Sequence, residues 1–455
     1  DVTAVTDGEN AVNVLGQVDF VTIAAVVQRY GLSAPTGVLV DSAHDRLYAV
    51  DTTANRVLTY DLTEGIAATG QPAQYVLGQA DWTAVVAATT QTGLNAPRGL
   101  AYDDADQILS VAQSGGNRVT VFDVSTVSNN EAAINVLGQT NFTNTALGNT
   151  QAGMNDPRGI TLDETNSLLY VTQLTGNRVT VYNVAAITDG EAAITVLGQP
   201  HYTSIAASVR QGGLSAPNGV IVDEANDLLY VMQSGASRVS IFDVATLTLG
   251  EDAVDALGQF NGNLELPVPI YIKGTANNAP YKHGLSAPQG LAVDAVNHRL
   301  FVADSTNNRV LVYNLTAGNL PVDHVPDHVL GQPNYYWNPL ATTQAGLNLP
   351  TGLSFDAENN ELYVADTTNN RIVVYDTASI TDGENAVGVL GQPSFLVLTA
   401  GITQTGLSGP RQIQFIPSTG QLFVVDALNN RVILYGGTGE AATDGTGNSF
   451  YFYGF

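Results

Sequence analysis

The 455-residue chain carries 16 basic and 42 acidic side chains, a formal net charge of −26 at pH 7, and no cysteine. A face that neutralises phosphates needs clustered Lys and Arg, so the charge argues against nucleic acid as a partner and disfavours anionic membrane surfaces. Disulfides, a thiolate zinc site and a cysteine nucleophile are excluded with the missing thiols.

Hydrophobic residues make up 44% of the chain and charged residues 13%, about half the usual share, so a core can form beneath a surface of Thr, Asn, Ser, Gln and Gly. No apolar run approaches the roughly 18–20 residues that span a bilayer, and no membrane insertion is expected. An acidic, Thr- and Asn-rich chain that opens at Asp1 instead of Met is expected to be an exported prokaryotic protein, extracellular or on the cell surface.

The chain opens with a segment ending Leu15-Gly-Gln17 that aligns with Asp376 through Gln392 and reads as one short strand without its own hairpin. A Gly-Leu-x-x-Pro-x-Gly segment then recurs from Gly31, Gly93, Gly153, Gly213, Gly284, Gly346 and Gly406. Each copy is followed after 25 residues by an arginine, at Arg56, Arg118, Arg178, Arg238, Arg309, Arg371 and Arg431. Leu-Gly-Gln recurs with its glycine at Gly16, Gly78, Gly138, Gly198, Gly258, Gly331 and Gly391, 15 residues before the next Gly-Leu except for Gly258, which lies 26 residues before Gly284. An 11-residue insertion therefore falls within 259–283.

Inside a unit the period is two: Gly352 to Asp356, Glu361 to Asp366, Arg371 to Tyr375 and Ala386 to Leu390, separated by Asp/Asn/Gly turns. Four antiparallel strands repeated seven times predict an all-β, seven-bladed β-propeller spanning residues 1–436. The last unit, 406–436, lacks a fourth strand, and the orphan strand at the N-terminus fits that vacancy and closes the ring.

The segments Pro350-Thr-Gly352, Leu362-Tyr-Val-Ala-Asp366 and Asn370-Arg-Ile372 resemble the blade motifs of the NHL-repeat propeller family, from about residue 10 to 436. The resemblance implies a propeller but not one function, since members bind RNA or protein, serve as extracellular sensors or, in the peptide-amidating lyase branch, catalyse. Seven blades, against the six usual in the family, follow from counting the markers. The last unit departs from the pattern, with Gln412 for the glycine and Ile416 for the aspartate at Asp41, Asp103, Asp163, Asp223, Asp294 and Asp356.

The seven repeat arginines read as structural, since Asp51, Asp304, Asp366 and Asp426 lie five residues upstream across a hairpin. Units two to four carry Gln113, Gln173 and Gln233 there instead. The residue between Pro and Gly varies as Thr36, Arg98, Arg158, Asn218, Gln289, Thr351 and Arg411. Arg98, Arg158, Asn218 and the three glutamines are candidates for one polar sector that takes an anionic or sugar-like ligand, a peptide or glycan; ordinary loop variation is the competing reading.

The six histidines, His44, His201, His283, His298, His324 and His328, all fall outside the expected channel-lining strands, so the lyase branch's histidine-held metal is not carried over. The Thr-Asp-Gly-Glu runs at Asp7, Asp189 and Asp382 lack calcium-loop spacing and read as turns; no cofactor is expected, and calcium is the one ion left open.

Residues 437–455 are surplus to the ring and end in Phe450, Tyr451, Phe452, Tyr453 and Phe455. This segment either folds back on its own last blade or adds as a strand to a second copy, the insertion's Ile270, Tyr271 and Ile272 being a second candidate contact. The leading expectation is a non-catalytic exported structural or interaction protein that self-assembles through the tail into surface or extracellular fibres. A monomeric binding or sensor propeller is the alternative, and a lyase- or lactonase-like enzyme comes third.

Overall fold

The computed structural model describes residues 5, 7–63, 69–259, 271 and 281–436. Seven four-stranded antiparallel sheets follow one another in chain order. The first blade comprises Pro35–Asp41, Arg46–Asp51, Arg56–Asp61 and Tyr75–Leu77. Blades two to six occupy 97–137, 157–197, 217–257, 290–330 and 350–390. Among the described residues no helix is long and apolar enough to cross a membrane.

The ring closes as the repeat arithmetic requires. Blade seven is Pro410–Ile416, Gln421–Asp426 and Arg431–Tyr435, with Asn13–Leu15 as its fourth strand. Asn13 stands opposite Leu434 and Leu15 opposite Val432. Gln17 behaves like the glutamine of any other Leu-Gly-Gln: its amide donates to the carbonyls of Asn430 (2.9 Å) and Ala24 (3.0 Å), as Gln392 donates to Asn370 (2.9 Å) and Thr399 (3.0 Å).

First strands of successive blades pack side by side, Pro97–Asp103 lying against both Pro35–Asp41 and Pro157–Asp163, which makes them the innermost strands. This packing explains the Pro-x-Gly glycine: a Cβ on Gly352 would lie 2.2 Å from the Arg411 carbonyl oxygen of the next blade. Because each sheet is covered on both faces, its middle strands are buried almost throughout. Between blades the core is partly aromatic. Tyr48 meets Tyr102 (6.1 Å between ring centroids), Phe301 stacks on Phe355 (5.4 Å) and Tyr363 on Phe415 (5.4 Å), in each case a second-strand residue against the innermost strand of the next blade.

Both departures in the last unit have a local cause. Gln412 stands where other blades have glycine, and its side-chain amide pairs with the first blade: Oε1 accepts from Val38 N–H (2.9 Å) and Nε2 donates to Val38 C=O (3.2 Å). The aspartates elsewhere cap the first hairpin, Asp41 accepting from His44 N–H (3.0 Å) and Asp356 from Asn359 N–H (3.2 Å). At Ile416 the turn is closed by main chain instead, Gly420 N–H donating to Ile416 C=O (2.9 Å) with Gly420 at φ 62°.

Gln412→Leu should therefore weaken the junction that closes the ring. Stripping buried Val38 of both partners is expected to cost about 1–3 kcal/mol in urea unfolding.

Candidate functional site

The seven repeat arginines are fully buried. In blade six, Arg371 donates through Nε to Asp366 (2.7 Å), through Nη1 to the Phe395 carbonyl (2.5 Å) and through Nη2 to the carbonyls of Gly346 (2.7 Å) and Thr343 (3.0 Å). One guanidinium thus ties its own hairpin, the loop entering the blade and the connector leaving it. In blade four the leaving connector carries the insertion. There Arg238 donates to the Tyr271 carbonyl (3.4 Å), and the Tyr271 hydroxyl reaches Ala253 C=O (3.2 Å), as Tyr202 does Ala193 C=O (3.2 Å). Tyr271 is therefore part of the repeat scaffold, while Ile270 and Ile272 lie outside the described residues, as do Phe450 to Tyr453 and Phe455.

The second-strand aspartates are equally buried. Burial pushes the Asp366 carboxyl up to about 6 against the pull of Arg371, and Asp51 and Asp426 likewise to about 6. In blades five to seven an asparagine completes the cradle, Asn307, Asn369 and Asn429 donating to their aspartates at 2.7–2.8 Å from single-turn 3₁₀ segments.

Gln113, Gln173 and Gln233 do not face a ligand. All three are fully buried in the same cradle. Gln173 Oε1 accepts from Asn155 N–H (2.9 Å) and Arg178 Nε (3.0 Å), while its Nε2 donates to Thr180 Oγ1 (2.9 Å). Gln113 uses Thr120 (2.7 Å) and Gln233 uses Ser240 (2.7 Å) in the same way. A neutral glutamine needs a hydroxyl where the aspartate blades have Leu58, Leu311, Val373 or Ile433. That covariation within the chain is the sequence signal for a structural role. Without a counter-ion, burial lowers Arg118 and Arg238 to about 10, and Arg238 Nε has no hydrogen-bond partner among the described residues.

The other half of the expected sector does converge at one end of the innermost strands. Arg98 lies near Ser114 of the second hairpin (Nε–Oγ 3.5 Å). Its pKa is lowered first by burial and then by Arg158 and Arg411, with Asp156 opposing. Arg158 pairs with Asp156 (3.1 and 3.2 Å). Asn218, 7% exposed, has its Oδ1 buried without a hydrogen-bond partner among the described residues. Arg411 was not legible as a member from the linear order, because blades seven and two flank blade one only after the ring closes. Three guanidinium groups and an amide at one mouth suit a carboxylate, sulfate or phosphate group.

At the opposite end Asp41, His44 and Asp104 bring possible ligand atoms within 4.8 Å of one another. Two of the three are already bonded: Asp41 accepts from Tyr102 O–H (2.7 Å) and pairs with His44 Nδ1 (3.0 Å), while the exposed Asp104 stands 3.8 Å from His44. His324 pairs with Asp255 (2.5 Å) and His328 with Asp382 (3.4 Å), on separate partners. The Asp-Gly turns clip each connector to the outer strand of the preceding blade, Asp189 accepting from Val136 N–H (3.1 Å) and Asp382 from Val329 N–H (3.2 Å).

The NHL repeat family model matches residues 285–313 and 347–375. The chain is 25% identical over 372 residues to NHL repeat-containing protein 2 of Gallus gallus, a match that covers 74% of this chain and 46% of that protein. The chain thus spans less than half the length of this curated relative. Among solved structures it is similar to Kuenenia stuttgartiensis hydrazine synthase, with TM-score 0.54 and 13% identity over 90% of this chain and 96% of that one. It is also similar to the Myceliophteria thermophila Cps50 (Swd1) beta-propeller domain, with TM-score 0.55 and 12% identity over 94% and 100%. At these identities the likeness is one of fold.

The two versions of the cradle should respond differently to loss of arginine. Arg371→Met strands the buried Asp366 carboxylate and is expected to cost about 3–5 kcal/mol at pH 8. A carboxyl held above its unfolded value, near 3.9, contributes stability that is present below about pH 4 and lost as pH rises through the folded value. The penalty of Arg371→Met should accordingly shrink as pH falls from 8 towards 5. Arg178→Met, beside neutral Gln173, should cost less and show no such dependence in denaturation curves recorded at each pH.

Proposed function

The chain is an NHL-repeat β-propeller, and from that premise we propose that it is a non-catalytic interaction module that self-associates through its aromatic C-terminal segment, as an exported building block of surface or extracellular fibres. The observation that carries this reading is the closure of blade seven. The position beside Arg431–Tyr435 is filled by Asn13–Leu15, so residues 437–455 are not needed for any blade. Their last charged side chain is Asp444, and five of the final six residues are aromatic. With a net charge of −26, copies repel one another at long range, and association calls for an uncharged, strand-forming segment of this kind. A contact between the tail of one copy and another surface of the next is heterologous and propagates.

The repeated buried charges serve the scaffold, which supports a role in presentation over one in chemistry. Light scattering and negative-stain imaging of the full chain against a chain ending at Gly437 test the proposal. The full chain should form filaments or large oligomers while the shortened chain stays folded and monomeric; two monomers would refute it.

A second reading rests on the mouth formed by Arg98, Arg158, Arg411 and Asn218, namely capture of an acidic peptide or acidic glycan. Calorimetric titration with a polyuronate should give binding that Arg98→Ala and Arg411→Ala each weaken, roughly 10-fold or more for loss of a charge-assisted contact. Equal heats for all three proteins would exclude it.

A further inference from the structure

The second-strand residue that stands 17 places after each Gly-Leu glycine is Tyr48, Ser110, Tyr170, Tyr230, Phe301, Tyr363 or Phe423. Six blades place a ring there and blade two places a buried serine, 6% exposed. Its counterpart on the next innermost strand is Leu162, where the junctions at Tyr48, Phe301 and Tyr363 have Tyr102, Phe355 and Phe415 as stacking partners. A second filler occurs in blades one and five alone, the other blades having Ile108, Leu168, Leu228, Glu361 and Gln421 at that position. In the first blade Arg46 reaches across to the Val124 carbonyl, and in the fifth Arg299 reaches the Thr377 carbonyl. Ile108 is the equivalent residue in blade two, and it leaves Val184 unreached by a guanidinium.

The result is a cavity of about 210 Å³ between blades two and three, lined by Ser110, Ile108, Leu162 and Val184 with Asp103 and Asp106 at its edge. Asp106 is exposed, so the cavity opens to solvent. The neighbouring junction shows what fits. There Tyr102 lies against Tyr48 and donates its hydroxyl to Asp41 (2.7 Å), the aspartate equivalent to Asp103.

We propose that this cavity is the acceptor for the tail of a second copy, taking the ring of Tyr451 or Tyr453 in place of the missing aromatic, with the hydroxyl donating to Asp103 or Asp106. The inference rests on the self-association reading and names its acceptor. Nineteen residues, 437–455, lie beyond the last described strand, and extended they span about 65 Å, enough to enter a neighbour's cleft. The segment after Asp444 is uncharged, so it can approach a −26 chain and bury aromatic surface against Ile108, Leu162 and Val184 in a slot of mixed lining whose carboxylates accept only from donors such as tyrosine O–H.

Sedimentation velocity and thermal unfolding of full-length wild type, Ser110→Phe, Leu162→Phe and Ser110→Ala decide it. Ser110→Phe and Leu162→Phe fill the cavity from opposite walls with residue types used at other junctions, so both should unfold at or above the wild-type temperature while self-association weakens by roughly 10- to 100-fold. Ser110→Ala keeps the cavity and should associate as wild type does. If the filled variants fold and still assemble like wild type, while the chain ending at Gly437 does not assemble, the acceptor lies elsewhere and only this inference falls. If wild type is monomeric in the same runs, the self-association reading falls with it.

Discussion

Everything in this propeller is built around a buried guanidinium. A β-blade has no covalent device to hold its entry loop, its hairpin and its exit connector together, and the connectors here are long and mostly irregular. Arg371 and its six counterparts bind the entry loop and the exit connector through backbone carbonyls, which are obligatory acceptors that would otherwise need water, and all but Arg238 bind the hairpin through the side chain of its Asp or Gln. Arginine suits this task because its planar fork presents several donors in fixed directions and stays charged when buried. The aspartate or glutamine beside it sets how the charge is compensated, and the residue two places beyond the arginine follows that choice.

The blade count, the strand order and the closure by the N-terminal segment were legible because they depend on spacing, which a repeat displays directly. The full reach of the arginines was not, since carbonyl acceptors leave no trace in side-chain identity. Gln113, Gln173 and Gln233 suggested a ligand face because they differ from their counterparts. Thr120, Thr180 and Ser240, seven residues on, hold the amides and supply the structural explanation. Arg411 was missed for a topological reason: a linear sequence places it at the far end of the series, while a ring places it one blade from Thr36.

Departures from the repeat divide into two kinds. Gln412 and Ile416 are compensated locally, by a paired amide and by a Gly420 turn, and leave the packing intact. Ser110 is not compensated from within the blade, and a cavity results. Interiors are packed closely enough that a lost ring is felt. A position where six copies agree and the seventh leaves a void is thus a better pointer to a contact than a position that varies in every copy.

Closure through Asn13–Leu15 also sets the order of assembly. The propeller's first described strand in chain order pairs with its last, so no nascent chain that stops short of Tyr435 can complete the seventh blade. Until then Asn13–Leu15 has no cognate neighbour, and the growing arc carries an open flank at each end. Closing so long a loop carries an entropic cost that grows only logarithmically with its length, and it falls at the final step. Two chains emerging side by side could each complete the other's seventh blade with the same register, giving an exchanged pair with every blade intact. The yield of closed single rings should therefore fall as the concentration of incompletely folded chains rises.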